Sequence, residues 1–196
     1  IFRKMRILIL ASGRGSNARA IMESVRDGKI RAQVCALISD NPDAPALSIA
    51  ESFGVPAKYV DPMKKGARFS PEGEAAYLRE MSAQSPDLVV LAGFMRILPD
   101  SIVEAFDGKM INLHPSLLPL YKGKDSIRRA LEASEKQSGC SVHFVSGELD
   151  GGRLIAQKAV DILPTDTLET LEERVHKAEH ELLPSVVADF VEGKIR

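Results

Sequence analysis

The sequence is poor in cysteine: among 196 residues only Cys35 and Cys140 are present, each inside an apolar stretch. Two such residues make no disulfide framework, which suits a protein kept reduced in the cytoplasm. Charge of one sign is equally scarce, since 26 Lys and Arg against 27 Asp and Glu leave a formal charge of −1. A protein that lives on nucleic-acid backbone needs a clustered basic excess, so nucleic-acid binding is not expected. Long apolar runs are missing too. Ile7 to Ala11 is cut off by Ser12-Gly13, far short of the roughly 20 residues of a membrane span, and the N-terminus is a poor signal peptide. There is no internal repeat or low-complexity tract. What remains, 44% hydrophobic and 27% charged residues, is ordinary for a globular chain of this length. We expect one domain over residues 1–196, with Met5 as a natural start and residues 1–4 a cloning remnant or an upstream extension.

Short apolar runs alternate with segments of helical period. Strands are predicted over 7–11, 33–38, 56–60, 88–92, 110–113, 141–145 and 154–160. Helices are predicted over 16–27, 44–53, 74–85, 99–105 and 127–136, with 167–191 helical but broken or kinked at Pro184. Residues 61–73 hold Pro62, Gly66, Pro71 and Gly73 and read as a loop. The rhythm predicts an α/β, Rossmann-like, mostly parallel sheet with helices on both faces and a final antiparallel pair.

In such sheets ligands sit beyond the carboxyl ends of the strands, so the residues just after each apolar run matter most. After the first strand comes Ser12-Gly13-Arg14-Gly15-Ser16-Asn17. Its glycines and the helix that follows suit a phosphate, and an ordinary strand-to-helix turn with Ser16 as N-cap suits them equally. The third glycine of a dinucleotide site and the Gly-Lys-Ser/Thr ending of a P-loop are both lacking. After the fourth strand, Met95, Arg96, Ile97 and Leu98 could wall a pocket for a flat anionic ligand, or simply pack on the core. Asn112 and His114 are i and i+2 on a strand and therefore face one side, just before Pro115. An amide beside an imidazole suits oxyanion stabilisation and proton transfer at a carbonyl. Asp150, in Glu148-Leu149-Asp150-Gly151-Gly152, could hydrogen-bond His114 and favour its charged form, although Asp-Gly is also a plain turn signal. His143 sits mid-strand. His176 and His180 have metal-ligand spacing on a helix but no third ligand, so no metal is expected.

Taken together, SGRGSN (12–17), AGFMRIL (92–98), NLHPSLLP (112–119), SVHF (141–144) and ELDGG (148–152) resemble the folate-dependent glycinamide ribonucleotide formyltransferase family of purine biosynthesis. The resemblance runs from about Met5 to the C-terminus, in the family's order and spacing. It implies transfer of a formyl group from 10-formyltetrahydrofolate, as co-substrate, to the amine of glycinamide ribonucleotide. It also implies small-molecule partners only, no membrane, a monomer or homodimer, and no metal or covalent intermediate. By position, Asn112, His114 and Asp150 would be catalytic, and Gly15, Ser16 and Asn17 would bind the substrate phosphate. Met95, Arg96, Ile97, Leu98 and Asn112 would line the folate pocket, and Glu179 would contact the glycinamide. Two departures stand out. Asp125 and Lys122 replace a histidine and a proline usual in the family, and Arg68 is the only arginine in the loop where the family often has a folate contact. A formyl-folate hydrolase using the same three groups, and a non-catalytic binding module, are the competing readings.

Overall fold

The computed structural model describes residues 3–195; Ile1 and Phe2, half of the segment read as a remnant, and Arg196 lie outside the described residues. The elements run β1 (Met5–Leu10), α1 (Ser16–Arg26), β2 (Ala32–Ser39), α2 (Pro45–Ser52), β3 (Ala57–Tyr59), α3 (Pro71–Ala83) and β4 (Leu88–Leu91). Then come α4 (Asp100–Ala105), β5 (Met110–His114), α5 (Ser126–Glu132), β6 (Gln137–Phe144), β7 (Leu154–Asp161) and α6 (Leu168–Val191). One sheet in the order β3-β2-β1-β4-β5-β6-β7 is parallel through β5, and β6 and β7 join antiparallel. This is the mixed α/β sheet that the pattern predicts.

The apolar runs are continuous because the inner strands are covered on both faces. Ile7 and Ile9 of β1 pack with α1, α2 and α6, whereas Leu8 and Leu10 pack with α3 and α4. Val90 and Val89 of β4 split in the same way. A smaller cluster of Ile127, Leu171 and Val175 ties α5 to α6. Among the described residues no helix is long and apolar enough to cross a membrane.

Several elements depart from expectation, among them α5, which ends at Glu132 rather than residue 136, and three departures have clear physical reasons. Helix α3 starts at Pro71 rather than Glu74, because the Ser70 hydroxyl accepts the Gly73 N–H at 3.0 Å and Pro71 suits the first helical position. Strand β6 starts at Gln137, four residues early, since its polar start pairs with β7 and Gln137 donates to Asp161 at 2.8 Å. Helix α6 runs unbroken through Pro184, so it is not two helices. The proline forfeits the bond to the His180 carbonyl, a cost of about 3 kcal/mol. Leu183, Val186 and Val187, all buried, each return about 1.5–3 kcal/mol on burial and outweigh it.

Candidate active site

The chain leaves β1 toward β2 on one side and returns as β4 on the other, which opens a crevice between the loops that follow β1 and β4. Those loops are joined: the Ser12 N–H donates to the Gly93 carbonyl at 3.0 Å and the Met95 N–H to the Ser12 hydroxyl at 2.8 Å. Gly15 has φ +76°, and a Cβ there would stand 2.7 Å from the Cα of Ala46, so only glycine fits. Helix α1 then begins at Ser16 with no side-chain cap; Gly15, not Ser16, holds the N-cap position. Asn17 donates its amide to Glu179 at 2.9 Å, and His176 Nδ1 lies 3.0 Å from the same carboxylate oxygen. Glu179 is buried, so these two partners offset the cost of its charge. The bond to Glu179 raises the His176 pKa above the usual imidazole range, although burial works against it. The predicted phosphate loop and Glu179 thus come together.

Asn112 and His114 leave the same side of β5, opposite His143 and Ser141 of β6. Asp150 reaches them from the loop between β6 and β7. Its Oδ2 accepts the Gly123 N–H at 2.8 Å and lies 3.4 Å from His114 Nδ1, and its Oδ1 is 3.4 Å from the Asn112 amide nitrogen. Burial pushes the Asp150 carboxyl up, but the Gly123 N–H and the charge of His114 hold it below its ordinary value. Gly152 lets this loop close, because a Cβ there would strike the Phe144 carbonyl at 1.8 Å.

The other face of His114 is equally specified. Its Nε2 is 3.0 Å from the Tyr121 carbonyl and 3.2 Å from the Ser126 hydroxyl, which itself donates to the Gly123 carbonyl at 2.8 Å. A carbonyl only accepts, so Nε2 carries a proton, and Nδ1 facing a carboxylate is favoured with one as well. The surroundings therefore set an acceptor against each ring nitrogen. Tyr121, Asp125 and Asp150 all have positive φ (54°, 56° and 48°), and for the aromatic Tyr121 this is strain that the site absorbs in aiming its carbonyl.

Beside these groups lies a cavity walled by Leu91, Phe94, Ile97, Leu98, Val103 and Val145, with Asn112, His143 and Asp150 at its polar end. Ile97 and Leu98 line it as the sequence suggests; Met95 is exposed and is not among its walls. Arg96 borders the cavity, but its guanidinium is spent elsewhere. It pairs with Asp40 at 2.6 Å and donates to the carbonyls of Lys64, Gly66 and Arg68, which pins the 61–69 loop. Asp125 is exposed at the start of α5, and the neighbouring Ser126 is the residue that touches His114. Lys122 bonds Glu148 at 2.7 Å, joining the loop after β5 to the one that carries Asp150. Sequence reasoning did not single out Ser126 and left His143 as a mid-strand residue. The signal for His143 is its register opposite Asn112, which only strand pairing reveals.

Comparison with known proteins identifies the family. The model of the formyl transferase family matches residues 5–187. The Bacillus subtilis phosphoribosylglycinamide formyltransferase is 38% identical over 183 residues, 93% of this chain and 93% of that protein. The Drosophila melanogaster trifunctional purine biosynthetic protein adenosine-3 is 41% identical over 193 residues, and the chain, 97% covered, spans only 14% of its length. The crystal structure of glycinamide ribonucleotide transformylase 1 from Symbiobacterium toebii superposes with a TM-score of 0.91 at 40% identity, covering 97% of this chain and 89% of that one. A match that takes in the loops after β1, β4 and β5 as well as the sheet beneath them leaves one conclusion: the chain belongs to the formyl transferase family.

Proposed function

We infer that the chain transfers a formyl group from 10-formyltetrahydrofolate to the amine of glycinamide ribonucleotide, a step of purine biosynthesis. The names of its relatives support the reaction, and the family supports a formyl-folate donor. The observation that carries the site reading is the meeting of Asn112, His114 and Asp150 at the end of β5, against an apolar cavity suited to a flat ring. In this reading the substrate amine forms a bond to the formyl carbon, and the carbonyl π pair moves to oxygen. Asn112 donates an N–H to that oxygen. His114, with both ring nitrogens engaged, supplies a fixed positive charge beside it, and Asp150 holds the ring charged and oriented. Collapse breaks the bond to the folate nitrogen, which takes up the proton that the amine gives away.

The start of α1, with Gly15, Ser16 and Asn17, would hold the substrate phosphate through N–H groups that no side chain caps. Glu179, already on Asn17, would face the glycinamide part. Ile97 and Leu98 would flank the folate ring, with Met95 at the rim and the Arg96 side chain supporting the wall rather than meeting an anion. A thiol mechanism finds no support: burial pushes Cys140 up to about 12 and raises Cys35 as well. Both cysteines are buried free thiols, in keeping with a cytoplasmic enzyme of one domain that acts on small molecules.

The test is folate-product absorbance on mixing the protein with 10-formyltetrahydrofolate, with and without glycinamide ribonucleotide. Turnover only with the ribonucleotide is expected. Formate release without it would replace the transferase by a hydrolase.

A further inference from the structure

His143 is buried, carries no role in the mechanism above, and sits against Asn112. Its Nδ1 lies 2.8 Å from the Phe144 carbonyl, so Nδ1 carries a proton. Its Nε2 lies 3.1 Å from the Asn112 amide nitrogen and 3.7 Å from Asp150 Oδ1. At 3.7 Å the carboxylate is too distant to accept a proton from Nε2. The near partner is the amide nitrogen, itself a donor, so Nε2 has to be the accepting lone pair of a neutral ring. Asp150 Oδ1, 3.4 Å from the same amide nitrogen, is a second acceptor facing that position. Two acceptors converge there, and the reversed amide would point its oxygen at a lone pair and a carboxylate.

We propose that His143 is a positioning residue for formyl transfer: its Nδ1–H tautomer fixes the Asn112 amide with the NH2 group facing the cavity. One amide hydrogen is then held by Nε2. The other makes only the long contact to Asp150 and is the one left for the oxygen of the reacting formyl group. This rests on the reading of Asn112 as the oxyanion donor. Register makes it possible, since Asn112 and His143 are direct partners across β5 and β6.

Two substitutions isolate the accepting nitrogen. His143→Leu and His143→Gln both lose the bond to the Phe144 carbonyl, but the Gln carbonyl can stand where Nε2 accepts. His143→Leu is expected to lower kcat by about 30- to 100-fold with both KM values within about threefold, somewhat less than outright loss of an oxyanion donor. His143→Gln should recover most of that loss. Equal losses in the two variants, or a parental kcat in His143→Leu, would overturn the proposal. Should His143→Leu fail to fold, 15N spectra of the parent decide. A scalar coupling between Asn112 Nδ2 and His143 Nε2, with His143 in the Nδ1–H tautomer, supports it; a protonated Nε2 without coupling sinks it. Asn112→Ala separates the two levels. Parental kcat in Asn112→Ala defeats the oxyanion-donor reading itself, whereas a low kcat there beside parental His143→Leu defeats only the role of His143.

Discussion

At Asp150 two effects oppose each other, and their balance decides what the residue is for. Burial alone would favour a neutral acid, yet the Gly123 N–H and the His114 imidazole hold the charged form. Asp150→Asn keeps the shape and removes the charge. It is expected to lower kcat on the order of a hundredfold or more while circular dichroism stays parental; near-normal turnover would remove Asp150 from the mechanism. Gly15→Ala acts by sterics instead. With φ +76° and Ala46 at 2.7 Å, the loop has to move, so the KM for the ribonucleotide should rise far more than the KM for the folate. Equal changes in both would argue against phosphate at this loop. Asn112 and His114 are legible in the sequence because a strand has a period of two. Ser126 and the Tyr121 carbonyl are not, because they reach His114 by way of a loop whose positive φ values no short pattern specifies.

Elements were readable in proportion to their burial. β1 and β4 are covered on both faces and spell themselves as unbroken apolar runs, so their limits fall within a residue or two of expectation. The start of β6 is polar and is stabilised by its partner strand, information that lies some twenty residues away along the chain. The start of α3 hides in a Pro- and Gly-containing stretch whose helical signal is the cap at Ser70. Removing that cap is a clean test, since Ser70 is distant from the reacting groups in role. Ser70→Ala should cost about 1 kcal/mol of stability by chemical denaturation and leave kcat unchanged. A parental midpoint would mean that Pro71 alone sets the start of the helix.

For the whole molecule, pH should act through two kinds of group with opposite signs. Asp150 and Asp166 are held below the ordinary carboxylate value of 3.8, Asp166 first by the Leu163 N–H and then, against burial, by Arg174 and Thr170. A lowered carboxylate contributes stability above its unfolded value and loses it as pH falls through the folded one. His176 runs the other way. The Glu179 bond raises it above 6.5, so its contribution is complete below that pH and is lost as pH rises through the folded value. Both contributions coexist only between these limits, which puts the highest denaturation midpoint in the mildly acidic range. His176→Gln should therefore be destabilised relative to the parent at about pH 5.5 and match it more closely at about pH 9. Because His176, Glu179 and Asn17 form one chain of contacts, the same variant should weaken ribonucleotide binding more at the lower pH. A stability deficit of equal size at both pH values would show that His176 contributes packing and not charge, and would leave Glu179 held by Asn17 alone.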